Sequence, residues 1–212
     1  MGTEKLKTEV RQEQIAQAAV DLVGSQGMKG LSMGGVARRL GLVPSALYRH
    51  FRSKDQIIDA ILDLLRERLL GNVAGVCQET SDPLERLQRV LMRHIKLIRE
   101  NQGLIRVIFS EEVHHGHPER KARVYKTIKG YLDALAEIVH QGQQEGVIRP
   151  DVDPGTISVM FLGLIQPGAI LWHLSEGKFD VTKQAERAWK IFCAAIMLEK
   201  PAAGQGAASM ED

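Results

Sequence analysis

The residues best suited to chemistry lie between positions 31 and 54. No acidic residue occurs between Asp21 and Asp55, whereas six bases do: Lys29, Arg38, Arg39, Arg49, Arg52 and Lys54, with Tyr48 and His50 among them. A one-signed stretch holding an aromatic is the footprint of a surface that meets a polyanion, although a merely solvated helix face looks the same. The imbalance is regional: residues 1–55 carry nine bases and five acids, while the net charge of the whole chain is only +2. A second group is His114, His115 and His117 beside Glu111 and Glu112, whose imidazoles suit zinc, nickel or copper. It lacks a helical i, i+4 histidine pair and a partnering cysteine, and Gly116 and Pro118 interrupt it. A polar loop is therefore the expectation, and no metal or cofactor is assigned. A third group consists of polar residues in apolar surroundings. His94 and Gln166, with Arg106 and Tyr125, could read the polar end of a small molecule whose apolar part meets Phe109, Met160, Phe161 and Trp172. For His94 the alternative is a core histidine satisfied by a neighbour. Catalytic signatures are missing: there is no GxSxG, no GxxxxGK[ST], no GxGxxG after a strand and no HExxH, so the chain reads as a non-enzyme.

These groups need a scaffold, and hydrophobic period points to helices throughout. Ile15, Ala18, Ala19, Leu22 and Val23 mark a first helix over about 4–25, stopped by Gly24 and Gly27. Ser32 is a good N-cap for a short second helix through Leu40, ended by Gly41, and Pro44 suits the first turn of a third, 44–50. Ser53 caps a fourth helix, Ser81 or Asp82 a fifth, and a short apolar sixth covers 104–110. Pro118 opens a long seventh helix, Asp153 an eighth reaching about Glu176 and kinked at Pro167, and Thr182 a ninth. Nowhere does an alternating pattern persist, so the expected fold class is all-α, about nine helices, without sheet.

Composition agrees with a soluble globular chain: 212 residues, 44% hydrophobic and 25% charged. The apolar stretch 157–174 is broken by Gly163, Gln166, Pro167, Gly168 and His173, which points to a buried helix rather than a membrane span. Residues 1–11 are polar and lack the apolar core of a secretory signal, and Cys77 and Cys193 are too few for a disulfide framework. A cytoplasmic, reducing location and no membrane partner are expected. The Ala- and Gly-rich tail 201–212 is expected to be disordered.

Two short helices joined by a glycine turn, loaded with bases and flanked by longer helices, form a helix-turn-helix whose second helix fits the major groove. The stretch 31–55, LSMGGVARRLGLVPSALYRHFRSKD, and above all Leu47-Tyr48-x-His50-Phe51-x-x-Lys54, resembles the DNA-binding signature of tetracycline-repressor-type (TetR) transcriptional regulators. More weakly, the helix count and the segment Glu145-Gly146-x-Ile148-Arg149-x-Asp151-x-Asp153 are similar to that family too. The resemblance implies that the Tyr48 hydroxyl meets a phosphate, that Lys54 contacts the backbone, and that Ser32 stands where helix N–H groups favour phosphate. It also places Ser45, Ala46 and His50 toward bases or nearby phosphates; Pro44 and Arg49 beside them are further DNA-binding candidates, and Arg38 and Arg39 could touch phosphate or be merely solvated. Lys5 and Lys7 could form a minor-groove arm, although Glu4 and Glu9 interleave them. Gly34 and Gly35 stand where members often carry longer polar residues, so few contacts are expected from the second helix, and Ala46 offers only a methyl, suited to thymine.

Expected domains are 1–52, the DNA-binding headpiece, and 53–200, an effector-binding and dimerisation body. The expected partners are double-stranded operator DNA, a second copy of the chain and an apolar small-molecule effector. The dimer is expected through the last two helices, with Gly163, Gly168 and Ala188 allowing close approach and Trp189 and Phe192 supplying area. The alternative is the same DNA-binding fold governed by a protein partner, or serving an architectural role, without an effector.

Overall fold

The computed structural model describes residues 2–115 and 117–198, with side chains from residue 8 onward. The tail 201–212 and the side chains of Lys5 and Lys7 lie outside the described residues. Helix α1 (Gly2–Gly30) runs five residues past the expected stop at Ser25, with non-helical backbone at Gly27 (φ 71°). Ser32 caps α2 (Met33–Arg39), its Oγ accepting from the Gly35 N–H at 3.1 Å. The turn closes where Gly41 adopts φ 65° and the Leu42 N–H donates to the Ala37 carbonyl at 2.9 Å. Pro44 then starts α3 (Pro44–Tyr48), which ends two residues before the expected His50. Val36, Ala37, Leu47 and Phe51 are buried with Ile15, Ala19, Leu22 and Val23, and this apolar cluster fixes the angle at which α3 is presented.

Helix α4 (Lys54–Glu79) starts at the Ser53 cap and runs from the headpiece into the rest of the molecule. Its buried Ile57, Ile58, Ile61, Leu62, Leu65 and Leu69 recur at helical spacing, which is why it packs against α1 on one side and the body on the other. The body comprises α5 (Pro83–Glu100), α6 (Gln102–Ile108), α7 (Glu111–His114), α8 (Pro118–Gln144), α9 (Pro154–Gly163), α10 (Gln166–Leu174) and α11 (Val181–Ile196). Among the described residues there is no strand, only one isolated bridge between Ile148 and Met197. The all-α class is as expected. The described residues form eleven helices rather than nine, for two reasons. The four-residue α7 is too short to show a period, and the expected eighth helix is broken at Leu164 and Ile165. Pro167 sits in the first turn of α10, where its missing N–H is harmless, so the chain restarts there instead of merely kinking. The last helix is capped not by Thr182 but by Asp180, whose carboxylate accepts from the Lys183 N–H at 2.9 Å.

The stretch Pro154–Leu174 is long and apolar enough, at a mean hydropathy of 1.6, to cross a membrane by length and composition. Here it is folded as α9 and α10, with Ile157, Phe161, Ile165, Ala169 and Trp172 buried and Val159, Met160, Ile170, Leu171 and Leu174 left outward.

Candidate nucleic-acid interface and ligand cavity

The helix-turn-helix presents Ser32, Arg38, Pro44, Ser45, Tyr48 and Arg49 at the surface, while Ala46, His50 and Lys54 are half-buried. Tyr48 is 51% exposed although its neighbour Leu47 is fully buried, so the ring stands out from α3 on the side away from the core. Arg39 is engaged by Asp21 at 3.5 Å, whereas Arg38 and Arg49 have no acidic partner among the described residues. The Nδ1 of His50 is the one buried side-chain polar atom without a hydrogen-bond partner among the described residues.

Lys54, at the first position of α4, lies 3.4 Å from the Glu112 carboxylate of α7. Burial disfavours the charged form of Glu112, but a backbone N–H and Lys54 outweigh it and hold this carboxyl below its ordinary range. Next to it, Arg120 of α8 is 3% exposed and donates to the Asp59 carboxylate at 3.0 Å, the Asp55 carboxylate at 2.9 Å and the Glu112 carbonyl at 3.1 Å. The first turn of α4 is thus clamped by both α7 and α8. Sequence reasoning named Lys54 and Glu112 but missed their pairing, and it missed Arg120 altogether. Arg120 stands one turn before Val124, on the apolar stripe of α8, and a base in such a place is the signal of a buried pair.

A cavity of about 130 Å³ lies among α4, α5, α6, α8, α9 and α10. Its wall holds Leu65, Leu69, Leu97, Ile98, Leu104, Ile105, Ile108, Ile128, Leu162 and Ile165, with the amide of Asn101, and among the described residues no Asp, Glu, Lys or Arg. Of the residues expected at an effector, His94, Phe109 and Gln166 line it. The other five stand elsewhere. Phe161 packs edge-on to Phe192 in the core, with ring centroids 6.0 Å apart, and Trp172 is buried on α10. Met160 and Tyr125 face outward, at 51% and 69% exposure, and Arg106 reaches the Val23 carbonyl of α1 at 3.4 Å. At the polar end, His94 Nδ1 and the Tyr131 hydroxyl are 2.9 Å apart, the rings edge to face. Burial pushes His94 down to about 4 and the Tyr131 phenol up, so both are neutral near pH 7.

Two contacts carry the cavity wall to the headpiece. Arg68 of α4 donates to Asn101 Oδ1 and Gln17 Oε1, each at 2.5 Å, and Gln17 donates to Asp21 at 2.7 Å. Beside this network Gly103 of α6 lies so close to α1 that a Cβ there would overlap the Val20 carbonyl.

The residues expected at a dimer interface are divided by the fold. Trp189 and Phe192 are 8% and 3% exposed and pack on each other, so their area is consumed inside the protomer. Gly168 is buried, Ala188 half-buried and Gly163 exposed. The outward apolar surface of α10 and α11 comes instead from Ile170, Leu171, Leu174 and Ile191, 48–74% exposed. The histidines near α7 point to separate partners: His114 Nε2 meets the Ile108 carbonyl at 2.8 Å, and His117 Nδ1 meets Glu119 at 3.0 Å. Among the described residues no group of three His, Cys, Asp or Glu side chains is placed to hold a metal.

Residues 15–61 match the family described as "Bacterial regulatory proteins, tetR family", and residues 66–195 match "YsiA-like protein, C-terminal region". The chain is 24% identical over 188 residues to the nucleoid occlusion factor SlmA of Vibrio vulnificus (strain YJ016), covering 88% of this chain and 95% of that one. It is 23% identical to the fatty acid metabolism regulator protein of Bacillus subtilis (strain 168), covering 79% and 86%. The solved structure of the transcriptional regulator FadR from Bacillus subtilis, in complex with stearoyl-CoA, superposes with a TM-score of 0.70 at 22% identity, covering 86% and 98%. The two matched regions together span most of the chain, and the helix-turn-helix geometry agrees with them: this chain belongs to the TetR family of DNA-binding transcriptional regulators.

Proposed function

We propose that the chain is a repressor: residues 1–52 bind a palindromic operator, residues 53–200 dimerise and bind an apolar effector, and effector binding releases the DNA. Ser32, Tyr48 and Lys54 hold phosphates, assisted by Arg38 and Arg49, while Pro44, Ser45, Ala46 and His50 sit at the groove. A two-fold dimer joined through the outward apolar faces of α10 and α11 puts the two α3 helices on one face of the duplex, about 34–36 Å apart or near a multiple of that.

The observation that carries the effector reading is the uncharged cavity, because its wall includes α4 and α6, both of which touch the headpiece. Ligand sites usually measure about 300–1,000 Å³. A cavity of about 130 Å³ is smaller, so an effector of ordinary size has to spread its walls. When α6 moves outward, its seat on α1 at Gly103 and the α7 contact of Glu112 with Lys54 move with it. The relative bound to stearoyl-CoA supports an acyl chain as the apolar part. The alternative, a DNA-binding protein in an architectural role or under a protein partner, draws on the likeness to the nucleoid occlusion factor; the cavity favours the first reading.

The test is fluorescence anisotropy of the labelled DNA flanking the gene, with and without stearoyl-CoA, together with sedimentation of wild type and Ile191→Glu. The proposal expects a wild-type dimer that binds DNA and lets go on adding stearoyl-CoA, and a monomeric variant that binds more weakly. A wild-type monomer without affinity for that DNA refutes the DNA-binding dimer. A dimer whose DNA is released neither by stearoyl-CoA nor by any member of a metabolite screen leaves the alternative.

A further inference from the structure

The cavity wall carries the amides of Asn101 and Gln166 and the His94–Tyr131 pair, and the hydrogen-bond bookkeeping of that pair selects a ligand chemistry. Tyr131 is 1% exposed, and His94 Nδ1 at 2.9 Å is the single partner of its hydroxyl among the described residues. If Nδ1 carried the proton and donated, the phenolic hydrogen would be buried with nothing to accept it. With the phenol donating to Nδ1, its hydrogen is satisfied and only the acceptor capacity of the oxygen goes unused, the cheaper shortfall. The proton of the neutral ring then sits on Nε2. That atom has no partner among the described residues, yet it is not a buried orphan, and His94 lines the cavity. An N–H donor therefore opens into a space whose remaining wall is largely aliphatic.

We propose that the His94–Tyr131 pair anchors an uncharged hydrogen-bond acceptor of the effector, a carbonyl or ester-type oxygen received by His94 Nε2–H. The proposal rests on the effector reading above and narrows it. Charge is excluded by the walls: among the described residues no lysine or arginine lines the cavity, so a carboxylate would lose its hydration with no cation to replace it. A hydrocarbon enters freely but leaves the Nε2–H unsatisfied, as any polar site rejects a ligand that lacks the matching group. Tyr131 is a positioning residue here, because it fixes which ring nitrogen bears the proton.

Three probes of equal heavy-atom count separate these outcomes: acetophenone, its isostere α-methylstyrene, and benzoate. An apolar cavity of similar size takes up a single aromatic ring. Titration calorimetry on the full-length wild-type dimer is expected to give acetophenone about three- to tenfold tighter binding than α-methylstyrene, with benzoate weakest, since a neutral hydrogen bond nets about that factor. In His94→Phe the preference for the ketone is lost while α-methylstyrene still binds. In Tyr131→Phe, which keeps the imidazole, the preference shrinks. Nitrogen-15 spectra of labelled histidine should show the Nε2–H form in wild type and a shift of Nε2 with acetophenone but not with α-methylstyrene. Equal affinity for the two isosteres, or tightest binding of benzoate, overturns the anchor and leaves the apolar pocket standing. No binding of either neutral probe overturns the anchor together with the pocket. If His94→Phe fails to fold, the Tyr131→Phe titration and the wild-type spectra still decide.

Discussion

Gly103→Ala tests how the headpiece is seated on the body. A methyl at this position would overlap the Val20 carbonyl oxygen and stand 2.8 Å from the Val20 carbonyl carbon and 3.0 Å from the Gly24 nitrogen. All three are backbone atoms of α1, so no side chain can swing aside. Reaching ordinary contact at 3.4 Å requires α6 and α1 to part by about 0.6 Å at the carbonyl carbon alone, and by more at the oxygen. Overpacking of this kind typically costs about 1–3 kcal/mol, and the collision of two helix backbones belongs at the upper end. Replacing a helical glycine returns about 0.5–1 kcal/mol of backbone entropy, which leaves about 2 kcal/mol of net destabilisation. For a chain of this length that is a drop in Tm of about 4–8 °C at fixed protomer concentration. Gly71→Ala, in α4, is the control of opposite sign: nothing lies within 4 Å of its Cβ position, so the entropy gain stands alone and Tm rises by about 1–4 °C. Differential scanning calorimetry measures both. A Gly103→Ala protein that melts at or above wild type refutes the close approach of α6 to α1, and with it the route by which the cavity reaches the DNA-binding helices.

Lys54→Ala is expected to weaken binding to all DNA sequences alike and to lower the salt slope of log K by about one, while Glu112→Gln, which frees Lys54, tightens binding; anisotropy across a salt series checks both. Arg120→Leu leaves the Asp55 and Asp59 carboxylates without their buried partner; because both are partly solvated, the loss is about 1–3 kcal/mol in urea titration, more than for Arg123→Leu, whose contacts to Asp59 and Asp63 are longer and exposed. His94, held near 4 in the fold against an ordinary 6.5, stays neutral where the unfolded chain has bound a proton, so its contribution is full above about pH 6.5 and is lost as pH falls toward 4. The loss amounts to about 3 kcal/mol. His94→Phe should flatten the urea midpoint against pH over that window.

What the sequence revealed was mostly local. Ser32, Ser53 and Asp153 cap their helices as expected, and of the two candidates Ser81 and Asp82 it is Asp82 that caps, because a cap is settled by a side chain and an N–H three residues on. The same logic failed at Asp180 and Thr182, two capping residues so close that only the burial of Val181 decides between them. Pro167 was legible as a disruption but not as a complete break, since its effect depends on whether the preceding turn is supported from outside. The aromatic area of Trp189 and Phe192 announced burial correctly, but area has no direction: whether it faces the protomer's own core or a second copy is tertiary information. His94 was visible on the apolar face of α5, and Tyr131 on that of α8. Their meeting across 37 positions, like that of Lys54 and Glu112 across 58, has no trace in local period.

The cavity wall, the seat on α1 and the contact to Lys54 share one segment. Helix α6 supplies Leu104, Ile105 and Ile108 to the cavity wall and Gly103 to the seat on α1, and through Phe109 and Ser110 it leads straight into α7, whose Glu112 holds Lys54. On the proposed mechanism a ligand that widens the cavity therefore acts on both headpiece contacts by moving one short piece of chain. Thermodynamic reciprocity then demands the converse: DNA phosphates that draw Lys54 away from Glu112 bias the same segment and must weaken the effector by the factor with which the effector weakens DNA. To carry a population from 1:99 to 99:1 the effector has to prefer the released form by about 5.5 kcal/mol. Burying apolar area yields about 25 cal/mol per Å², so about 220 Å² of extra contact in the widened state supplies that difference. A single ring filling the existing cavity gains little from widening it. A longer chain that passes Phe109 toward the exposed Ile170 gains contact only when the walls have parted, which is the condition for an inducer rather than a silent ligand.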